Sequence, residues 1–85
     1  MYFFTIIWGI DCTVYKKGFK CQSSTQIATN IPNPNQCFSL ALQNQNCNSF
    51  NQIELDRNGN CWCATNCEEG HGSYYNVFAC TETSK

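Results

Sequence analysis

Residues 58–67 read Asn-Gly-Asn-Cys-Trp-Cys-Ala-Thr-Asn-Cys, and His71 follows shortly after. Thiols and an imidazole this close together have three chemistries open to them: metal ligation, redox exchange and disulfide cross-linking. Cys61, Cys63, Cys67 and His71 suit zinc by type. Their spacing is C-x-C-x3-C-x3-H, not the C-x2-C knuckle of structural zinc sites, and four further cysteines would stay unexplained. No C-x-x-C occurs in the sequence, which argues against a thioredoxin-like centre. Disulfides account for more. There are eight cysteines, an even number as a fully paired framework requires: Cys12, Cys21, Cys37, Cys47, Cys61, Cys63, Cys67 and Cys80. We expect no metal and no cofactor.

Other reactive residue types are sparse. Glu54 and Asp56 are two apart on a predicted strand, so they share a face and form a carboxylate pair in type. The preferred reading is a solvated hairpin edge. Residues 56–60, Asp-Arg-Asn-Gly-Asn, place their glycine too early for a calcium-binding loop and read as a turn. His71 is the only histidine, lies between glycines in an acidic loop and has no marked nucleophile beside it. Tyr15 to Lys20 holds three of the five basic residues beside two aromatics. It reads as a lysine-rich turn blunting an edge strand rather than as an anion site. The tyrosine pair Tyr74–Tyr75 faces opposite sides of a strand, so one of the two must face outward.

These residues sit in a chain of 85, one domain at most. So short a polypeptide buries little apolar surface and needs staples. A disulfide framework persists in oxidising compartments, so the expected location is extracellular or secreted. Five basic and six acidic residues nearly cancel, and there is no basic stripe, which argues against a nucleic-acid partner. Charged residues make up 13%, while there are eleven Asn and six Gln, giving a polar but nearly neutral surface. No N-x-S/T glycosylation acceptor occurs. Tyr2 to Ile10 reads equally as a signal-peptide remnant or as a first strand within residues 1–11. It is too short to span a bilayer, so a membrane role is not expected.

The elements that must position the cysteines follow from pattern. Cys12 to Cys21 predicts a hairpin around Lys16-Lys17-Gly18. Residues 22–36 predict a polar connection broken by Pro32 and Pro34. A helix is predicted from Pro34 to about Asn44, with Asn33 as N-cap and Gln36 three residues later. Cys37, Leu40 and Ala41 share one face, flanked by Phe38 and Leu42. A strand within residues 46–55 and a second over about Asn60 to Ala64 predict a hairpin with Asn58-Gly59 in a type I′ turn. Cys61 and Cys63 then share a face, with Trp62 on the other. They lie roughly 7 Å apart, too far for an easy mutual bridge, so each needs its own partner. A helix packed on that face would supply one. Residues 66–73 predict a loop, Tyr74 to Cys80 a closing strand, and residues 81–85 a frayed tail. The expected fold is α+β: a small disulfide-rich module, residues 12–85, with one helix packed on an antiparallel sheet.

The run from Asn35 to Cys63 resembles the core of a PAN/apple domain. Cys37 stands in the helix, Cys47 to Phe50 ("CNSF") matches the strand after it, and Asn60-Cys61-Trp62 matches the hairpin. Tyr75 to Cys80 resembles the closing strand and Gly18 to Cys21 the opening one, so the resemblance covers about residues 18–80. The family's second helix cysteine is replaced by Ala41, and Cys12, Cys63 and Cys67 are extra to the pattern. The resemblance implies bridges Cys37–Cys61 and Cys21–Cys80, and leaves Cys12, Cys47, Cys63 and Cys67 open. It also implies a non-catalytic extracellular module that binds a protein or a glycan. The alternative is a free-standing secreted effector: a toxin, antimicrobial peptide or protease inhibitor. The candidate binding surface is Glu68 to Tyr75, with Tyr74, Tyr75 and His71, joined by Trp62 if it faces solvent. Tyrosine offers flat contact area with a polar tip, and glycine lets a backbone approach a ligand.

Overall fold

The computed structural model describes residues 7–84. It is an α+β module with one helix packed on an antiparallel sheet and four disulfides. Strand β1 runs Ile7–Ala28, helix α1 Pro34–Gln43, a 3-10 turn Gln45–Cys47, strand β2 Gln52–Asp56 and strand β3 Cys61–Ser84. Of residues 1–11, Ile7 onward is strand in this structure, and Tyr2 to Ile6 lies outside the described residues.

β1 and β3 pair antiparallel along their whole length, from Ile7 opposite Ser84 to Ala28 opposite Cys61. A straight strand of 22 residues would span about 70 Å, yet the longest dimension of the molecule is 46 Å. The ribbon therefore bends, and register shifts at residues 14–19 and 21–28 mark where extra residues are absorbed. The bend brings both arms of β3 beside β2. Ile53 is opposite Cys63 on one side and Phe78 on the other; Leu55 is opposite Cys61 and Asn76. In both ladders the partner's number falls as that of β2 rises, so both are antiparallel, and β2 is the central strand. Between the two arms, residues 65–74 of β3 and their β1 partners arch over one face of β2.

Alternation along β2 assigns its two faces. Ile53 and Leu55 face α1 and join Ile31, Cys37, Phe38, Ala41, Cys61 and Cys63 in the main core. Glu54 faces the arch, where Cys21, Ala64, Cys67, Val77 and Phe19 form a second, smaller cluster. The helix has the expected start: Asn33 accepts from the Gln36 amide at 2.9 Å, and Pro34 opens the first turn. Cys37, Phe38 and Ala41 are buried and Leu40 half-buried, but Leu42 is 41% exposed, so the second flank does not extend to it. Phe38 meets Phe50 edge to face, with centroids 5.7 Å apart.

Several local expectations are corrected. Cys12 to Cys21 is not a hairpin: Gly18, at φ 61°, sits in a bulged region of one continuous strand whose partner is β3. Residues 22–28 continue β1, residues 66–73 are strand rather than loop, and Thr81 to Ser84 pairs with β1 instead of fraying. Lys85 lies outside the described residues. Cys47 stands in the 3-10 turn, and β2 begins only at Gln52. At Asn58-Gly59, Gly59 has φ 84° while Asn58 is not in the positive region, which excludes a type I′ turn. Gly59 N donates to Asp56 O at 3.1 Å and Asp56 N to Asn60 O at 3.2 Å. This is a three-residue loop closed by a left-handed glycine. A Cβ on Gly59 would also lie 3.0 Å from the Ile31 amide nitrogen.

One bridge joins register partners and three do not. Cys12 is directly opposite Cys80, and the two are joined with Cα atoms 4.1 Å apart. Cys21 is opposite Gly70, far along the ribbon from Cys80, and bridges to Cys67 across the arch. The implied Cys21–Cys80 bridge is thus replaced by two others. Cys37–Cys61 ties α1 to β3, and Cys47–Cys63 ties the 3-10 turn to the same arm. Replacing Cys37 and Cys61 together by alanine should cost roughly 2–5 kcal/mol, read as a lowered urea midpoint. An unchanged midpoint would show that α1 stays docked without the bridge.

Candidate functional site

The arch is held to β2 by a buried carboxylate. Glu54 is fully buried. Its Oε1 accepts from Lys20 Nζ at 2.9 Å and its Oε2 from the Cys21 backbone amide at 2.6 Å. Lys20 also donates to Ser24 Oγ. A carboxylate taken fully out of water needs such partners, because desolvation of an unpaired charge costs several kcal/mol. The lysine is enclosed on its other sides by rings. Its Nζ lies 4.2 Å from the Trp62 ring centroid and 5.1 Å from that of Tyr75, within cation–π range. Trp62 and Tyr75 sit on the two arms of β3, opposite Glu54 and Asp56, and meet edge to face at 5.7 Å. Trp62 Nε1 is buried with no hydrogen-bond acceptor.

Glu54 and Asp56 therefore do not work as a carboxylate pair, and Glu54 is not on a solvated edge. β2 is central, so its arch-side residue is interior. Asp56 organises the turn instead. Its Oδ1 accepts from the Asn58 and Asn60 amides, each at 2.9 Å, and its Oδ2 from Asn60 Nδ2 at 2.8 Å. Burial works to raise its pKa, but the backbone and side chain of Asn60, with the Asn58 and Gly59 backbone, outweigh it and hold the carboxyl below its ordinary value. Burial, then the charges of Asp56 and Glu54, push the Tyr75 phenol above its ordinary value.

Tyr74 is 74% exposed, while Tyr75 is half-buried. The Arg57 guanidinium carbon lies 4.3 Å from its ring centroid. Asp56, Arg57, Asn58, Tyr74 and Tyr75 line an open hollow of about 380 Å³. Of the predicted binding residues, Tyr74 and Tyr75 share this hollow, and Trp62 supports it from beneath through Tyr75. His71 is exposed but lines a different hollow, with Cys21, Gln22, Glu69 and Gly70. Gly70 is not free to receive a ligand: a Cβ there would fall 2.0 Å from the Lys20 carbonyl and 2.8 Å from the Phe19 ring. Its close approach is to β1. Arg57 had no signal in the sequence beyond its place in a turn, and it meets Tyr74 only because the bent ribbon lays β3 beside β2.

The lysine-rich stretch is largely engaged internally. Lys16 Nζ donates to the Cys67 carbonyl at 2.6 Å and lies 4.2 Å from the Phe19 ring, and the Tyr15 hydroxyl donates to Glu68. Cys61, Cys63 and Cys67 each form a disulfide, with Cys37, Cys47 and Cys21, so thiolate ligation with His71 is not open to them. No described helix is long and apolar enough to cross a membrane. Four disulfides in so small a domain are typical of extracellular proteins. Compared with known proteins, the sequence matches no family model and no curated protein, and the fold matches no solved structure.

Glu54→Leu should strand the Lys20 ammonium and the Cys21 amide, and cost about 3–5 kcal/mol. The double change Lys20→Met with Glu54→Leu should recover part of that loss. Urea denaturation of the three proteins checks both, and an additive double variant would show that the two side chains do not stabilise one another. A second expectation concerns acid. Because its folded pKa is lowered, the stability contributed by Asp56 is fully present above the unfolded value of about 3.9. It is lost as pH falls through the lower folded value. Asp56→Asn should be less stable than wild type at pH 6 and should lose less on acidification to pH 3. Equal losses in the two proteins would assign the acid sensitivity to other carboxylates.

Proposed function

We propose that this protein is a secreted, PAN/apple-like binding module that recognises an extracellular protein or glycan and carries out no catalysis of its own. The observation that supports this reading is Tyr74. A large aromatic is held three-quarters exposed, with an arginine over its ring, on a ribbon cross-linked by Cys12–Cys80 and Cys21–Cys67. Tyr and Arg are the types enriched where binding energy concentrates. A rigid platform lowers the ordering cost of association, since the contact residues are already in place. The PAN/apple-like run, Gly18 to Cys80, supports the same function class. Its helix cysteine Cys37 and hairpin cysteine Cys61 are joined as that resemblance implies.

The test is a screen of the oxidised protein and its Tyr74→Ala variant against extracellular proteins and a glycan array. Truncating a hot-spot tyrosine typically costs about 2 kcal/mol or more, so a genuine ligand should bind the variant at least tenfold more weakly. A ligand held equally by both places the site elsewhere. Absence of any ligand favours the effector alternative.

A further inference from the structure

We propose that the hollow beside Tyr74 takes a peptide carboxylate, with Arg57 as its recognition residue; this rests on the binding-module reading above and names the partner's chemistry. Arg57 differs from Lys16 and Lys20 in what surrounds it. Lys20 is paired with Glu54 under the arch, and Lys16 is held on the Cys67 carbonyl. Among the described residues no carboxylate lies within ion-pair distance of Arg57, and none accepts a hydrogen bond from its guanidinium. Its sequence neighbour Asp56 does not compete, because both Asp56 oxygens already accept from Asn58 and Asn60.

The guanidinium is nonetheless not loose. With its carbon 4.3 Å from the Tyr74 ring centroid, it has lost part of the rotamer freedom that a free surface arginine gives up on binding. A guanidinium carries its N–H donors around one planar fork. That planar fork matches a carboxylate bidentately, which a lysine cannot do. The half-buried Tyr75, its ring 5.7 Å from that of Trp62 and 5.1 Å from Lys20 Nζ, also lines the hollow and suits an apolar group next to the carboxylate. A polyanion such as a sulfated glycan is the poorer fit, since a single cation serves the hollow and the protein's net charge is −1. The ligand is therefore a single carboxylate with an apolar neighbour on a protein partner, from an Asp or Glu side group or from a free C-terminus.

The experiment uses the full oxidised protein on an array of random hexapeptides, each synthesised with a free and with an amidated C-terminus. Retained peptides should require a carboxylate. Loss of binding on amidation identifies the terminal source, and retention with an Asp or Glu requirement identifies the side-group source. Arg57→Gln should weaken binding roughly tenfold or more, as expected for loss of a charge-assisted pair. Arg57→Lys should restore only part of it, and added salt should weaken wild type but not Arg57→Gln. Peptides retained without any carboxylate, equal binding by Arg57→Gln, sulfated glycans as the only ligands, or no retained peptide would each overturn the proposal. A ligand lost with Tyr74→Ala but indifferent to Arg57→Gln would leave the binding-module reading standing and remove the carboxylate alone.

Discussion

A carboxylate placed where water cannot reach it constrains everything around it. Glu54 lies on the central strand, and its two oxygens are satisfied only if residues 20 and 21 come down onto the face opposite the helix. That contact requires β1 to bend, and β1 carries β3 with it because the two are paired throughout. Once the ribbon is bent, the two arms of β3 lie on either side of β2, and the cysteines at 61, 63 and 67 face three different partners. An ion pair of this kind is weak evidence for net stability, since burying both charges costs nearly what their attraction returns. Its value here is positional: among the arrangements the hydrophobic residues would tolerate, it favours the one in which the arch is closed.

The bridges and the small core divide the work. Core packing is concentrated between α1 and the sheet, where Cys37, Ile53 and Cys61 have no exposed surface. Two bridges, Cys37–Cys61 and Cys47–Cys63, cross this layer and sit inside the core they reinforce. The other two tie β1 to β3, one near the open end of the ribbon and one under the arch. There the apolar cluster is too small to hold a bend by itself. These two bridges close the longest loops of the four, with sequence separations of 68 and 46, and so constrain the unfolded polypeptide most.

Residues with local signals were legible in the sequence. Asn33 and Pro34 announce a helix start because capping is settled within four residues, and Cys37 on its inner face follows from period. The even cysteine count indicated the framework, and strand geometry alone indicated that Tyr74 and Tyr75 could not both be fully buried. Long-range pairing was not legible. Lys-Lys-Gly and the Gly-rich stretch 70–72 carry turn composition, yet both lie in paired strand, since Gly18 relieves a bulge and Gly70 admits the backbone of β1. Glu54 looked solvated because alternation says which residues share a face, not which face is later covered. The partner of Cys21 was hidden for the same reason: it depends on a register that only the assembled ribbon defines.

The pairing of Ile7 with Ser84 has a further consequence. Opposed residues in an antiparallel ladder are only about 5 Å apart. The described residues thus begin and end at one place, while Tyr74 and Tyr75 lie on the far side of the Cys12–Cys80 cross-link, where that arm of β3 meets the arch. A unit with that connectivity can be spliced into a surface turn of a host domain without stretching it, because the host sees a gap no wider than a hairpin. It would then project as a stalked pendant, Tyr74 carried outward and its attachment reduced to a single stem.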